Sequence, residues 1–145
     1  MKASEAADGG AERIMSVQGW ASIALWMTVG LFLEGLIGYK SPPYLGDSVR
    51  RELFRLAHAH GALLGVLLVV ASLTVRARIA RVSRAAAFAL RTGSVLMPVG
   101  FFFGGVWHPE GDPGLAIWLV PPGALLVIFG SISIALSAMG LKSSR

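Results

Sequence analysis

Cysteine is missing altogether from this chain of 145 residues. Disulfides and thiolate ligands are therefore excluded, any metal must take nitrogen or oxygen donors, and thiol usage says nothing about redox compartment. Charge is scarce too: 14% of the residues are Asp, Glu, Lys or Arg, against about a quarter in an ordinary soluble domain. Histidine occurs only as His58, His60 and His108. The sequence contains no HExxH pair, calcium loop, phosphate loop or GxSxG elbow, and so none of the enzyme classes those motifs define. No repeat, low-complexity tract or second domain is evident.

What the chain does have is apolar length. Of its residues 54% are hydrophobic, and they gather into four runs, roughly 20–39, 53–74, 86–107 and 115–139. Each is close to the ~20 residues that a helix needs to cross the hydrocarbon of a bilayer. The expected fold is all-α: an integral membrane bundle of four transmembrane helices over 20–139, with polar tails at 1–19 and 140–145. The first run is long for a signal peptide and no small-residue cleavage site follows it promptly. The net charge of +5 does not indicate nucleic acid, because Arg76, Arg78, Arg81 and Arg84 crowd one short connection between apolar runs. By the positive-inside rule that connection is cytoplasmic, Lys142 and Arg145 agree, and both termini face the inside of a bacterial-type inner membrane. Lys40, Arg50 and Arg51 in the first outer loop argue the other way, partly offset by Asp47 and Glu52. Tyr39, Tyr44, Trp107 and Trp118 are placed as interfacial aromatics at the outer boundary, with Trp20 at the inner one. Arg91 is expected to snorkel towards the inner headgroups. Pro98, Pro121 and Pro122 are expected to distort their helices near one depth. Ser131, Ser133 and Ser137 read as packing hydroxyls.

On this topology Glu34, His58, His60, His108, Glu110 and Asp112 all reach the outer half. An ionisable group at membrane depth costs roughly 2.5 kcal/mol or more unless it is paired, hydrated or used. A plain structural explanation pairs Glu34 with Arg55 and leaves the histidines lightly buried. The AHAHGALLG run (57–65) offers more. Residues two apart lie about 200° from each other around a helix, so His58 and His60 must face different neighbours. Below His58 come Gly61, Ala62 and Gly65, whereas His60 has Leu63, Leu64 and Leu67 at the same offsets. A bare strip beneath a histidine is the trough that a planar macrocycle needs if His58 holds its iron. The same Gly61/Gly65 spacing, repeated at Gly100/Gly104, equally suits close helix packing. A third possibility is a His/carboxylate metal centre drawn from His60, His108, Glu34 and Asp112, in a metal-binding or proton-coupled transport subunit.

Arg55-Leu-Ala-His58 with Leu63 and Gly65, followed by Val99-Gly-Phe-Phe-Phe103, Gly111-Asp112 and Pro121, resembles the styrene oxide isomerase and hydroxylaminobenzene mutase group of small membrane proteins over residues 30–135. The resemblance implies a four-helix protomer, a homotrimer, and haem b at a subunit boundary with His58 as axial ligand. It further implies ferric iron acting as a Lewis acid that isomerises a small apolar (aryl) epoxide to an aldehyde. Two polar positions of that pattern differ here, with Leu64 for an asparagine and Phe102 for a tyrosine. Glu34 and His60 are the candidates to replace them, His60 as acid/base or alternative ligand and Glu34 as its orienting carboxylate. Those departures keep open a non-catalytic haem carrier or sensor.

Overall fold

The computed structural model describes residues 2–140, and side chains from residue 10 onward. Helix α1 runs Lys2–Gly38, the short α2 Pro42–Leu45, α3 Ser48–Arg76, α4 Arg84–Val106, and α5 Val120–Ala138, the last preceded by a 3-10 turn at Leu115–Leu119. No strand occurs among the described residues. Four segments are long and apolar enough to cross a membrane: Gly10–Gly38, Ser48–Arg76, Arg84–Val106 and Leu115–Ala138. They match the four runs of the sequence, and their outward surfaces carry Leu31, Phe32, Leu63, Phe88 and Leu125 exposed, as lipid-facing helices do.

Helix α1 begins at Lys2 and so runs through the segment expected as a polar tail, and within it Met15 and Gly19, followed by Ser22 and Trp26, recur at helical spacing and face the bundle. Met15 is fully buried. Lys142 and Arg145 lie outside the described residues, as does the tail beyond Gly140.

Neighbours in space follow the order of the chain: α1 packs on α3, α3 on α4, and α4 on α5. Small residues make the close approaches. A Cβ on Gly65 would meet the Gly19 carbonyl of α1 at 2.9 Å, and one on Gly100 the Ala116 carbonyl at 3.0 Å. Polar ties supplement them, with the Ser22 hydroxyl donating to the Gly61 carbonyl at 2.9 Å. Arg91 does not reach freely for headgroups. Its Nε donates to Gln18 Oε1 at 2.9 Å, while Gln18 Nε2 donates back to the Arg91 carbonyl at 2.8 Å, a reciprocal bond that ties α1 to α4. Ser137 does more than pack, since its hydroxyl accepts from the Arg81 backbone N–H.

Nor do the three prolines act alike. Pro98 lies inside α4 and is buried, whereas Pro121 and Pro122 stand at the first positions of α5, where the missing N–H would have no partner anyway. A buried apolar cluster, Met15, Leu68, Ala71, Val75, Val82, Ala86, Ala87 and Leu90, sits at the end of the bundle that carries the arginine-rich connection. The opposite end carries the three histidines, with Glu34, Asp47 and Glu52.

Candidate functional site

The two histidines of AHAHGALLG do face different helices. His60 turns to α4, with Nδ1 2.9 Å from the carbonyl of Leu56 in its own helix and its ring 4.9 Å from that of Phe101. His58 turns to α1, where Nδ1 lies 2.6 Å from the Trp26 carbonyl. Gly30 is what permits this. A Cβ on Gly30 would overlap the imidazole, coming within 2.6 Å of Nδ1 and 3.0 Å of Nε2. The bare residue therefore lets the ring lie on the α1 backbone and reach a carbonyl one turn back. A helical carbonyl has a second lone pair to offer. Since a carbonyl can only accept, Nδ1 is the donor, and the tautomer this selects is the one whose free lone pair is on Nε2.

A Cβ on Gly61 would fall on the Trp26 indole, and one on Gly65 would meet Ile23 as well as the Gly19 carbonyl. Helix α1 packs on these two glycines, the close approach that GxxxG spacing permits, so no open trough runs over Gly61 and Gly65; Ala62 between them is half-buried.

The open space lies on the other side of His58. A cleft of about 590 Å³ runs between α1 and α3 beside the short α2, with Gly30, Glu34, Tyr44, Glu52, Arg55 and His58 on its walls. Met27, Leu31, Leu33, Ile37 and Leu56 make the rest of it apolar. That volume is in the range of clefts that enclose most of a small ligand. Arg55 approaches Glu52 at 3.7 Å, so the expected pairing of Arg55 with Glu34 is not what forms. Among the described residues Glu34 has no ion-pair partner.

Tyr44 was missed as anything but an interfacial aromatic. It is 2% exposed, its ring stacks on Phe54 at 6.4 Å, and its hydroxyl is buried with no hydrogen-bond partner among the described residues. Burial pushes the phenol above its ordinary value, against the opposing pull of Arg55 and Arg51, so it is an O–H donor at neutral pH. The Pro-Pro pair before it was the available signal, because it starts the short helix that folds back over α3. Arg51 secures that fold-back by donating to the Leu45 carbonyl at 2.7 Å.

Phe102 stands between Phe54, at 5.0 Å, and Trp26, at 6.1 Å, inside an aromatic stack. It packs rather than lining the cleft. His108 belongs to a separate cluster on the connections: Nε2 lies 3.0 Å from Asp47 Oδ2 and Nδ1 2.7 Å from the Pro109 carbonyl. Asp47 also caps α3 by accepting from the Arg50 N–H at 2.9 Å. That hydrogen bond, aided by the charges of His108 and Arg50, holds the Asp47 carboxyl below its usual range. Arg50 in turn donates to the Gly105 carbonyl of α4 at 3.2 Å. Glu110 and Asp112 are exposed.

No family model, curated protein or solved structure matches the chain. The described residues hold no group of three His, Asp or Glu side chains that converge on one point, so His60, His108, Glu34 and Asp112 do not form the metal centre that their types allowed. His60 and Glu34 do not meet either: one lies against α4 and the other lines the α1–α3 cleft. Each of the three histidines has a carbonyl at Nδ1, Trp26 for His58, Leu56 for His60 and Pro109 for His108, a contact that fixes tautomer and ring plane. His58 alone of them lines the cleft.

Proposed function

We propose that this protein is a haem b protein of the bilayer, of the epoxide isomerase type, in which His58, on the wall of the α1–α3 cleft, would hold the iron through Nε2. One observation carries this reading: His58, oriented by the Trp26 carbonyl 2.6 Å from its Nδ1, is the one histidine among the described residues that lines the largely apolar cleft. The resemblance of Arg55-Leu-Ala-His58 and its following motifs supports the same assignment. When bound, ferric haem supplies a Lewis acid for the oxygen of a small apolar epoxide, the chemistry by which such an epoxide rearranges to an aldehyde.

The chain's own contributions follow from its side chains. His58 orients and Gly30 makes room for it. Met27, Leu31, Leu33 and Ile37 keep water from the cleft. Glu34, without an ion-pair partner among the described residues, is the group there that can take or hold a proton. His60, stacked on Phe101, has no part in the proposal. Substrates of this class partition into lipid and reach such a site from the bilayer. The assembly that goes with this reading is a homotrimer in a bacterial-type inner membrane, with the arginine-rich connection cytoplasmic.

The test is a visible spectrum of protein made with ample haem, beside His58→Ala. The wild type is expected to be coloured and the variant to lose the band. A colourless wild type refutes the proposal, and equal colour in both transfers ligation to His60 or His108. A second reading, a haem carrier or sensor without catalysis, is favoured by one observation: Phe102 is committed to an aromatic stack and presents no hydroxyl to the cleft. Incubation of the haem form with styrene oxide and other aryl epoxides separates the two, because aldehyde from any of them excludes a purely non-catalytic role.

A further inference from the structure

The outer end of the cleft carries two hydrogen-bond donors that the function above does not use. One is the Tyr44 hydroxyl, buried without a partner among the described residues on a side chain 2% exposed. A buried hydroxyl with no acceptor is costly to a fold, and its ring is fixed by Phe54 on one side. The other is Arg55, which precedes His58 by three residues and so lies on the same face of α3, about 4.5 Å further towards the helix start. Its contact with Glu52 is 3.7 Å long, between side chains 68% and 62% exposed. Such a pair is weak and easily exchanged for a better acceptor. Apolar walls beside His58, with a phenol and a guanidinium at one end, are complementary to an amphiphile whose head accepts hydrogen bonds. Arginine favours a planar carboxylate in particular.

We propose that Tyr44 and Arg55 form a carboxylate-binding subsite at the outer end of the α1–α3 cleft. Resting on the haem assignment to His58, its ligand is a propionate of the macrocycle. Glu34 lines the same cleft and puts a like charge beside it. It therefore weakens the subsite that Tyr44 and Arg55 build, and the three residues have effects of opposite sign.

The experiment compares ferric protoporphyrin IX with its dimethyl ester, which keeps the iron and the ring and removes the carboxylates. Full-length wild type, Tyr44→Phe, Arg55→Gln, Glu34→Gln and His58→Ala are titrated in detergent, reading affinity from the Soret band and loss rate to a haem scavenger. Wild type is expected to prefer the free acid over the ester. Tyr44→Phe and Arg55→Gln are each expected to weaken the free acid by about tenfold to a hundredfold, the worth of a hydrogen bond to a charged group. Neither should change affinity for the ester or the Soret position. Glu34→Gln is expected to tighten the free acid alone. Equal binding of acid and ester by wild type overturns the subsite while leaving His58 ligation standing, and so do variants that lose both ligands equally. If wild type binds neither porphyrin, the haem assignment itself fails and the subsite with it.

Discussion

Replacing Gly30 by alanine probes the contact on which the His58 geometry depends. The new methyl would sit 2.6 Å from Nδ1 and 3.0 Å from Nε2, so the imidazole must swing off the α1 backbone and give up its bond to the Trp26 carbonyl. Overpacking of this kind costs about 1–3 kcal/mol, and the lost hydrogen bond about 1 kcal/mol more. Against this, alanine is favoured over glycine inside a helix by about 1 kcal/mol. The net expectation is a destabilisation of about 1–3 kcal/mol. In a His58→Ala background the ring is gone, and the same change should be neutral or stabilising by up to about 1 kcal/mol. The assay is a double-mutant cycle of reversible unfolding in mixed micelles over wild type, Gly30→Ala, His58→Ala and the double variant. A coupling of about 1–4 kcal/mol is expected, with the effect of Gly30→Ala changing sign or vanishing between backgrounds. Effects that add within about 0.5 kcal/mol would refute the placement of His58 on Gly30.

Two further outcomes are expected away from the cleft. Asp47 is ionised more readily in the folded protein than the ordinary carboxylate value of 3.8, so its contribution is fully present above that value and is lost as pH falls through the lower folded value. Melting temperature followed downwards from about pH 5 should therefore fall less steeply in Asp47→Asn than in wild type, and identical slopes would contradict the capping role. Towards the arginine-rich end of the bundle, Gln18→Leu strands the Arg91 side chain between α1 and α4 and should destabilise by about 1–3 kcal/mol. Adding Arg91→Leu should recover much of that loss, since an apolar pair leaves nothing unsatisfied; unfolding of the double variant at the same point as Gln18→Leu would exclude the reciprocal bond as the cause.

The turn of each histidine was legible because helix geometry is local: two residues apart, His58 and His60 had to look in different directions, and they look at α1 and α4. What the bare strip below His58 was for was not legible. Gly61 and Gly65 are equally suited to a flat ligand and to a neighbouring helix, and only the arrival of Trp26 and Gly19 opposite them decides for the helix. Gly30, the glycine that does serve His58, gave no signal of its own, since it lies 28 positions away in the numbering and becomes relevant only when α1 and α3 are placed side by side. Tyr44 was misplaced for a similar reason. A tyrosine next to a membrane boundary reads as interfacial until the chain folds it back over α3.

By itself the sequence determined that this is a four-helix protein suited to a bilayer, because apolar length is a property of each segment alone and the bilayer acts on segments one at a time. It also determined which end collects the arginines and which the histidines and carboxylates. The tertiary structure alone decided that Glu34, Tyr44, Arg55 and His58 share one cleft while His60, His108 and Asp112 stand apart from it. Proximity between helices depends on rotation and depth set by small-residue contacts, and neither is encoded in the spacing of any one helix.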